Sequence, residues 1–465
     1  MNKEYLLLLL PFLLISLADC QKPAPEFQPE RPNIIFLLTD DQRWDAMGAM
    51  GNPIIQTPNM DRLAHEGILF QNAYVTTSIC AISRASIFSG QYARRHGIHD
   101  FVSFFQPETW ANSYPMLLRN AGYHTGFVGK FGVGGKNTMP THDFGYWKGI
   151  AGQPKYEHTD SAGNYQHLTH ILGEQLLEFL QQVTDQEPFC LSVSFKAPHV
   201  QDTDPRQFLY DSAYIDLYSD VTIPPPVTGD PRYWQQFPDF FRTDTNESRR
   251  RWKMRFDTPE KYQASVKGYY RLIYGIDRVI GKMQQELDRL ELAENTIIIL
   301  LGDNGFYLGE HGLAGKWYGH QESIRVPLLI FDPRRPADQK GIKPKGIALN
   351  IDIAPTILGY AGIDVPKGMQ GRDLRKLVDE NPADWRTDFF YEHLFEYRGR
   401  IPRSEGMVSK DWKYLVYIDQ QPPYEQLFDL NNDPHETNNL AADGAYADQL
   451  NQMKIRFLEL KKEAE

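Results

Sequence analysis

The strongest constraint on this chain is the stretch Asn33 to Thr39 (NIIFLLT), apolar almost throughout and ending in Asp40-Asp41. A strand with one face in water alternates polar and apolar residues. An unbroken apolar run therefore reads as a strand covered on both faces, as in a parallel sheet between helices. His124 to Val128, Phe189 to Phe195 and Thr296 to Leu301 have the same character. Between them lie helical patterns: Pro58 to His65, stopped by Gly67, and a long one from Pro259 to Leu292 with apolar residues near helical spacing. Strands alternating with helices predict right-handed crossovers and an α/β fold, a large mixed and mostly parallel sheet flanked by helices.

The rest of the chain divides by texture. Residues 1–19 carry Lys3 and an apolar stretch from Leu6 to Leu17, the pattern of a signal peptide. Ser16-Leu17-Ala18 offers an ordinary cleavage site, whereas Leu17-Ala18-Asp19-Cys20 resembles a lipoprotein box that would anchor Cys20 to a lipid. Both readings predict export, to the periplasm or cell surface, with membrane contact only through Cys20. Residues 20–31 read as a polar, proline-rich linker, 32–370 as the main α/β domain and 371–465 as a smaller C-terminal α+β subdomain. Aromatic segments at 388–391, 413–418 and 426–430 suggest that this subdomain is built on an antiparallel sheet, followed by a helix at 445–461. The stretch Gln201 to Asp257, rich in Pro, Tyr, Trp and Arg, reads as a substrate-facing or capping excursion. A net charge of −11 over 465 residues argues against a nucleic-acid binder, although a local basic cleft could still face a polyanion. Three cysteines, Cys20, Cys80 and Cys190, build no disulfide framework.

In open α/β sheets, ligands bind beyond the carboxyl ends of the strands. The residues that follow the apolar runs are Asp40 and Asp41, Lys130, Lys196 with His199, and Asp303 with Asn304. Oxygen donors of this kind suit Ca²⁺ or Mg²⁺ rather than Zn²⁺, and the lysines and histidine suit an anionic ligand. Cys80 opens a helical segment that closes at Gly90, so it lies at a helix N-terminus, where backbone N–H groups attract anions.

Cys80-x-x-Ser83-Arg84, followed by Ala85-Ser86 and Gly90-x-Tyr92, resembles the signature of the type I (formylglycine-dependent) sulfatases of the alkaline-phosphatase superfamily. Further blocks resemble the family in its order: Asn33 to Asp41, Gly129-Lys130, Ser194 to His199, Gly302 to Gly305, Leu308 to Gly312 with Lys316, and Glu322 to Pro327. Asp352 to Thr356, Gln370 to Leu374 and Leu427 to Leu430 continue the series. The resemblance implies an alkaline-phosphatase-like fold and a sulfuric ester hydrolase. A maturation enzyme would convert Cys80 to formylglycine (3-oxoalanine). Asp40, Asp41, Asp303, Asn304 and the modified Cys80 would hold one Ca²⁺. Arg84 would stabilise the hydrated nucleophile, Lys130 and Lys316 would contact sulfate oxygens, and His199 would act near the leaving oxygen. Lys196, His311, His320 and Arg325 are candidate substrate contacts.

Two positions depart from the family pattern. Ile82 stands where the maturation machinery usually meets proline or alanine, and Gly132 stands where a histidine is common. His96, His99 and His124 are candidates to replace that histidine. The expected substrate is a sulfated polysaccharide or its oligosaccharides, such as ulvan, carrageenan, a glycosaminoglycan or mucin. The Arg249–Arg251 cluster is available to neighbouring anionic groups. Two alternatives remain at this point: a phosphoesterase or phosphonate monoester hydrolase of the same superfamily, and a non-catalytic binder of sulfated glycan.

Overall fold

The computed structural model describes residues 31–184, 187–380 and 382–465. The expectations for the signal segment, Cys20 and the linker up to residue 30 lie outside the described residues. Every apolar run identified above is a strand of one seven-stranded sheet. In chain order its strands are β1 (Asn33–Asp40), β2 (Ile68–Leu69), β3 (His124–Lys130), β4 (Tyr146–Ile150), β5 (Phe189–Pro198), β6 (Thr296–Gly302) and β7 (Leu328–Phe331). Their spatial order is β2-β7-β6-β1-β5-β3-β4. The pairings from β6 through β1, β5 and β3 to β4 are parallel, whereas β7 pairs antiparallel with both β6 and β2. The sheet is mixed and mostly parallel, as the apolar runs require.

The two faces of β1 explain its composition. Ile34, Phe36 and Leu38 pack with Ala85, Ile87 and Phe88 on one side; Ile35 and Leu37 pack with Met60, Leu63, Leu172 and Ile276 on the other. Those partners belong to α1 (Pro58–Glu66), α2 (Cys80–Ser89), α3 (Leu168–Leu180) and the long α5 (Pro259–Arg289), which follows the short α4 (Glu247–Arg255). Each apolar side chain so buried contributes about 1.5–3 kcal/mol, so none of Ile34 to Leu38 can be made polar without loss. α5 begins with Pro259 at its first position, and its Thr258 cap accepts the Lys261 N–H at 3.3 Å. It ends at Arg289, short of the expected Leu292; Leu290 and Leu292 pack against the same core from the turn that follows.

The C-terminal antiparallel sheet comprises β8 (Asp388–His393), β9 (Ser404–Ser409), β10 (Trp412–Tyr417) and β11 (Tyr424–Asp429), in that spatial order. The final helix α6 (Ala447–Glu463) lays Met453, Phe457 and Leu460 on Phe390, Met407, Tyr414 and Leu427. Residues Pro32–Glu465 form one compact unit. The stretch 201–257 combines two roles, since Phe208, Leu209, Phe237 and Phe241 are buried in apolar clusters while other residues face a cavity described below.

Candidate active site

Successive residues of a regular strand point to opposite faces, so Asp40 and Asp41 could not serve one site from β-structure alone. β1 ends at Asp40, and Asp41 takes a left-handed conformation (φ 69°), which aspartate tolerates. The turn is held from two directions. The Tyr269 hydroxyl of α5 donates to the Asp41 carbonyl at 2.7 Å, and the Asp41 N–H donates to Asp303 Oδ1 at 3.1 Å. β1 and β6 run in unbroken register from Asn33–Thr296 to Thr39–Gly302, so Asp40 and Asp303 leave the sheet side by side. The Asn304 side-chain amide donates to Asp41 Oδ1 at 2.6 Å.

Three cations face the three carboxylates. The Lys130 ammonium, at the end of β3, donates to Asp40 and the Lys316 ammonium donates to Asp41. Arg84 of α2 donates through Nε to Asp303 Oδ2 at 2.9 Å and through Nη1 to the Lys130 carbonyl at 2.8 Å. All six side chains are at most 4% exposed. Burial alone would raise the Asp40 pKa, but Lys130, His199 and Arg84 together hold it far below the usual carboxylate range. Asp303 moves upward, because burial and the Asp40 charge both disfavour a second anion. Burial would lower Lys316, yet Asp41 and its neighbours keep it above its ordinary value.

The donor set fits a divalent cation. Asp40 Oδ1 and Asn304 Oδ1 are buried with no hydrogen-bond partner, a costly state unless their lone pairs are used. His199 Nδ1 lies 2.6 Å from the Val200 carbonyl, which only accepts, so the proton sits on Nδ1. Burial lowers the His199 pKa to about 4. Its Nε2 then presents a lone pair 3.6 Å from Asp41 Oδ2, two acceptors facing each other. One ligand atom each from Asp40, Asp41 and His199 lie within 4.8 Å of one another. A hard cation among Asp40, Asp41, Asp303 and Asn304 would satisfy these groups together.

A cavity of about 310 Å³ opens above this cluster. Buried Cys80, Lys130, His199 and Lys316 line its floor. Gln153, Asp202, Glu247, Arg251 and Trp317 line the walls, and Phe101, Phe395 and Tyr397 the mouth. Cys80 is the first residue of α2, and burial pushes its thiol pKa up against the opposing pull of Lys130 and Lys316. An unmodified Cys80 is therefore a protonated thiol and a poor nucleophile. Ile82 is buried in an apolar cluster with Phe237, Tyr307 and Trp317, so its size is used in packing.

The remaining candidates stand apart from the cavity lining. Lys196 donates to the Pro154 carbonyl at 2.6 Å and lies 4.1 Å over the Tyr156 ring. His311 and His320 stack on each other at 5.1 Å, and Arg325 lies 4.0 Å over the Trp44 ring while donating to the Gln71 carbonyl. None of the three histidines proposed to replace one at position 132 lines the cavity. His96 is held by Ser86 Oγ at 3.0 Å and the Ile98 N–H at 3.1 Å, and His124 sits at the start of β3, the end opposite Lys130. Position 132 itself has no room for a side chain: its φ is 80°, and a Cβ there would lie 2.6 Å from Arg84 Cδ. Arg251 belongs to the Arg249–Arg251 cluster singled out from the sequence and lines the cavity; Asp202 and Glu247 were detectable only as members of the 201–257 excursion, while Gln153, Trp317, Phe395 and Tyr397 carried no sequence signal of a site.

Comparison with known proteins agrees with this geometry. The sulfatase family model matches residues 32–363, and that of the N-sulphoglucosamine sulphohydrolase C-terminal region matches residues 309–463. The chain is 29% identical to an N-acetylglucosamine-6-O-sulfatase of Bacteroides thetaiotaomicron, over 95% of this chain and 88% of that protein. It is 30% identical to an arylsulfatase of Clostridium perfringens, covering 92% and 94% respectively. Among solved structures, one in complex with its substrate D-glucosamine-2-N,6-O-disulfate superimposes with a TM-score of 0.80 at 26% identity, covering 94% of this chain and 98% of that one. With Cys80, the buried carboxylates and the lysines all at one sheet edge, the chain belongs to the sulfatase family and is a sulfuric ester hydrolase.

Proposed function

We propose that this enzyme hydrolyses sulfate esters on a sulfated glycan, with a nucleophile derived from Cys80 and with Ca²⁺ at the buried carboxylates. The observation that carries this reading is the position of Cys80 on the cavity floor, at a helix N-terminus and between Lys130, His199 and Lys316. The glycan part rests on the similar proteins described above, which act on N-acetylglucosamine 6-sulfate groups or bind a disulfated glucosamine. Residues 1–19 support export, to the periplasm or cell surface.

Conversion of Cys80 to formylglycine by a maturation enzyme supplies a hydrated aldehyde, one hydroxyl to attack sulfur and a second whose collapse expels sulfate. Ca²⁺ supplies positive charge against the sulfate oxygens. The chain's own residues do the rest. Lys130 and Lys316 line the cavity floor, where their ammonium groups would donate to sulfate oxygens and lower the cost of the redistributing charge. Arg84 holds Asp303 and the end of β3 in place, so the donors are already oriented when substrate arrives. His199 Nε2, reached by the Gln153 side-chain amide at 3.4 Å, lies at the cavity floor, where it can accept a hydrogen bond from the reacting groups and help orient them.

The test is peptide mass spectrometry across Cys80 on protein made with a competent maturation system, paired with turnover of sulfated sugars before and after chelation. Formylglycine at position 80 with turnover that chelation abolishes and Ca²⁺ restores is the expected result. A thiol retained at position 80 in active protein would overturn the nucleophile assignment. Faster cleavage of matched phosphate esters would overturn the sulfate assignment.

A further inference from the structure

The cavity mouth differs in chemistry from its floor. Phe101 is 45% exposed and Tyr397 is 36% exposed, and both line the opening. They come from distant parts of the chain: Phe101 precedes the helix Pro107–Ala111, and Phe395 and Tyr397 lie between β8 and β9. The Phe101 and Phe395 rings meet edge to face with centroids 5.1 Å apart, and Phe395 stacks on Tyr397 at 6.0 Å. Exposed aromatic rings collected around one opening lose free energy to water unless something covers them.

Charge is distributed unevenly across the same region. On the wall, Arg251 is paired with Asp202 at 3.2 Å and with Glu247 at 3.0 Å, and Arg400 lies 3.6 Å from Glu247. Arg398 is different. It is exposed, its guanidinium lies 5.9 Å from the Tyr397 ring centre, and among the described residues no carboxylate lies within ion-pair distance of it. The wall charges are thus paired, and Arg398, next to Tyr397 in the chain, carries an exposed charge beside the aromatic platform.

We propose that this rim binds the sugar next to the one that loses its sulfate, and that this neighbouring sugar carries an anionic group, carboxylate or sulfate, held by Arg398. The inference rests on the glycan reading above and extends it. A pyranose presents an apolar C–H face, which matches the Phe101–Phe395–Tyr397 surface, and its anionic substituent would reach the guanidinium beside it. The preferred substrate is therefore an oligosaccharide in which the neighbour of the reacting sugar is charged.

The experiment compares four substrates sharing one scissile ester on the matured, calcium-loaded enzyme: the sulfated monosaccharide, and disaccharides whose second sugar is a neutral hexose, a uronate or a sulfated hexose. A kcat/KM about tenfold higher for at least one charged disaccharide than for the neutral one is expected, with the advantage shrinking as salt rises. Arg398→Ala should bring that ratio close to one, and Arg398→Lys should restore part of it. The uronate and sulfate arms distinguish the two anionic groups. Calorimetric Kd values on the Cys80→Ser protein should follow the same order without any turnover. Equal kcat/KM for charged and neutral disaccharides, or a ratio that Arg398→Ala leaves intact, would overturn the rim assignment while leaving the sulfatase reading in place. Failure of turnover on all four, with the binding order preserved in Cys80→Ser, would instead remove the proposed reaction and leave the rim standing.

Discussion

Two of the buried polar clusters among the described residues meet the conflict between burial and charge differently. At the carboxyl edge of the large sheet, Asp40 stays ionised and Lys316 stays protonated because the opposite charges around them outweigh desolvation. The second cluster, where the loop around His311 meets the C-terminal sheet, contains His311, His320 and Glu322 packed among Phe237, Tyr307 and Phe428. There desolvation prevails: it lowers His311 to about 3, holds His320 well below its ordinary value, and with Glu310 raises Glu322 to about 8. Those groups are neutral at physiological pH. Both clusters are made of residues that catalysis commonly uses, and the second also holds the buried Lys413–Glu436 ion pair, but the charged residues of the first line a cavity. Retained charge beside a cavity, rather than burial of polar residues, separates a reaction site from a hydrogen-bonded scaffold.

The contrast can be broken by substitution. Arg84→Met should have the largest effect, because it strips a cation from a site where Asp303 and Asp40 remain buried. Urea unfolding in the presence of a chelator should show a loss of about 3–5 kcal/mol, and activity should fall on the order of a hundredfold or more. A loss below about 1 kcal/mol would mean that these carboxylates do not depend on Arg84, contrary to the burial argument. Gly132→His comes next. A side chain at φ 80° and 2.6 Å from Arg84 should cost about 2 kcal/mol or more, and activity should decrease as Arg84 is displaced. Increased activity would show that a base is missing here and that the crowding is harmless.

The smallest effect is expected in the neutral cluster. Folded His311 takes up a proton only near pH 3, whereas the unfolded chain does so near 6.5. The unfolded state therefore binds more protons between these values, and stability falls as pH drops below about 6.5. His311→Gln removes that contribution. Its loss of stability between pH 7 and about pH 5.5 should be smaller than that of the parent by about 1 kcal/mol. An unchanged difference would place His311 in a charged environment and erase the distinction between the clusters.

Much of the site was legible because strand-end residues in a parallel sheet share one edge, whatever the connections between them. Asp40, Lys130, His199 and Asp303 could be grouped from the apolar runs that precede them. The short edge strand β2, its neighbour β7 and the Ser404–Ser409 strand were not identified, since two to six residues without alternation or aromatic enrichment carry no periodic signal. His311, His320 and Arg325 were placed with the substrate on the strength of the blocks that contain them, but stacking and backbone contacts occupy these side chains.

Local pattern was sufficient for the α/β architecture, the position of Cys80 at a helix N-terminus and the set of charged strand ends, because burial on both faces and the geometry of parallel strands act over a few residues. The approach of Gln153, Asp202, Arg251, Trp317, Phe395 and Tyr397 around one cavity was set by packing between segments hundreds of residues apart. The same packing closed position 132 to any side chain and left Arg398 without a carboxylate partner among the described residues. Composition and spacing constrain neighbours along the chain, whereas cavity shape, pKa and the pairing of individual charges depend on which distant atoms share a low-dielectric interior.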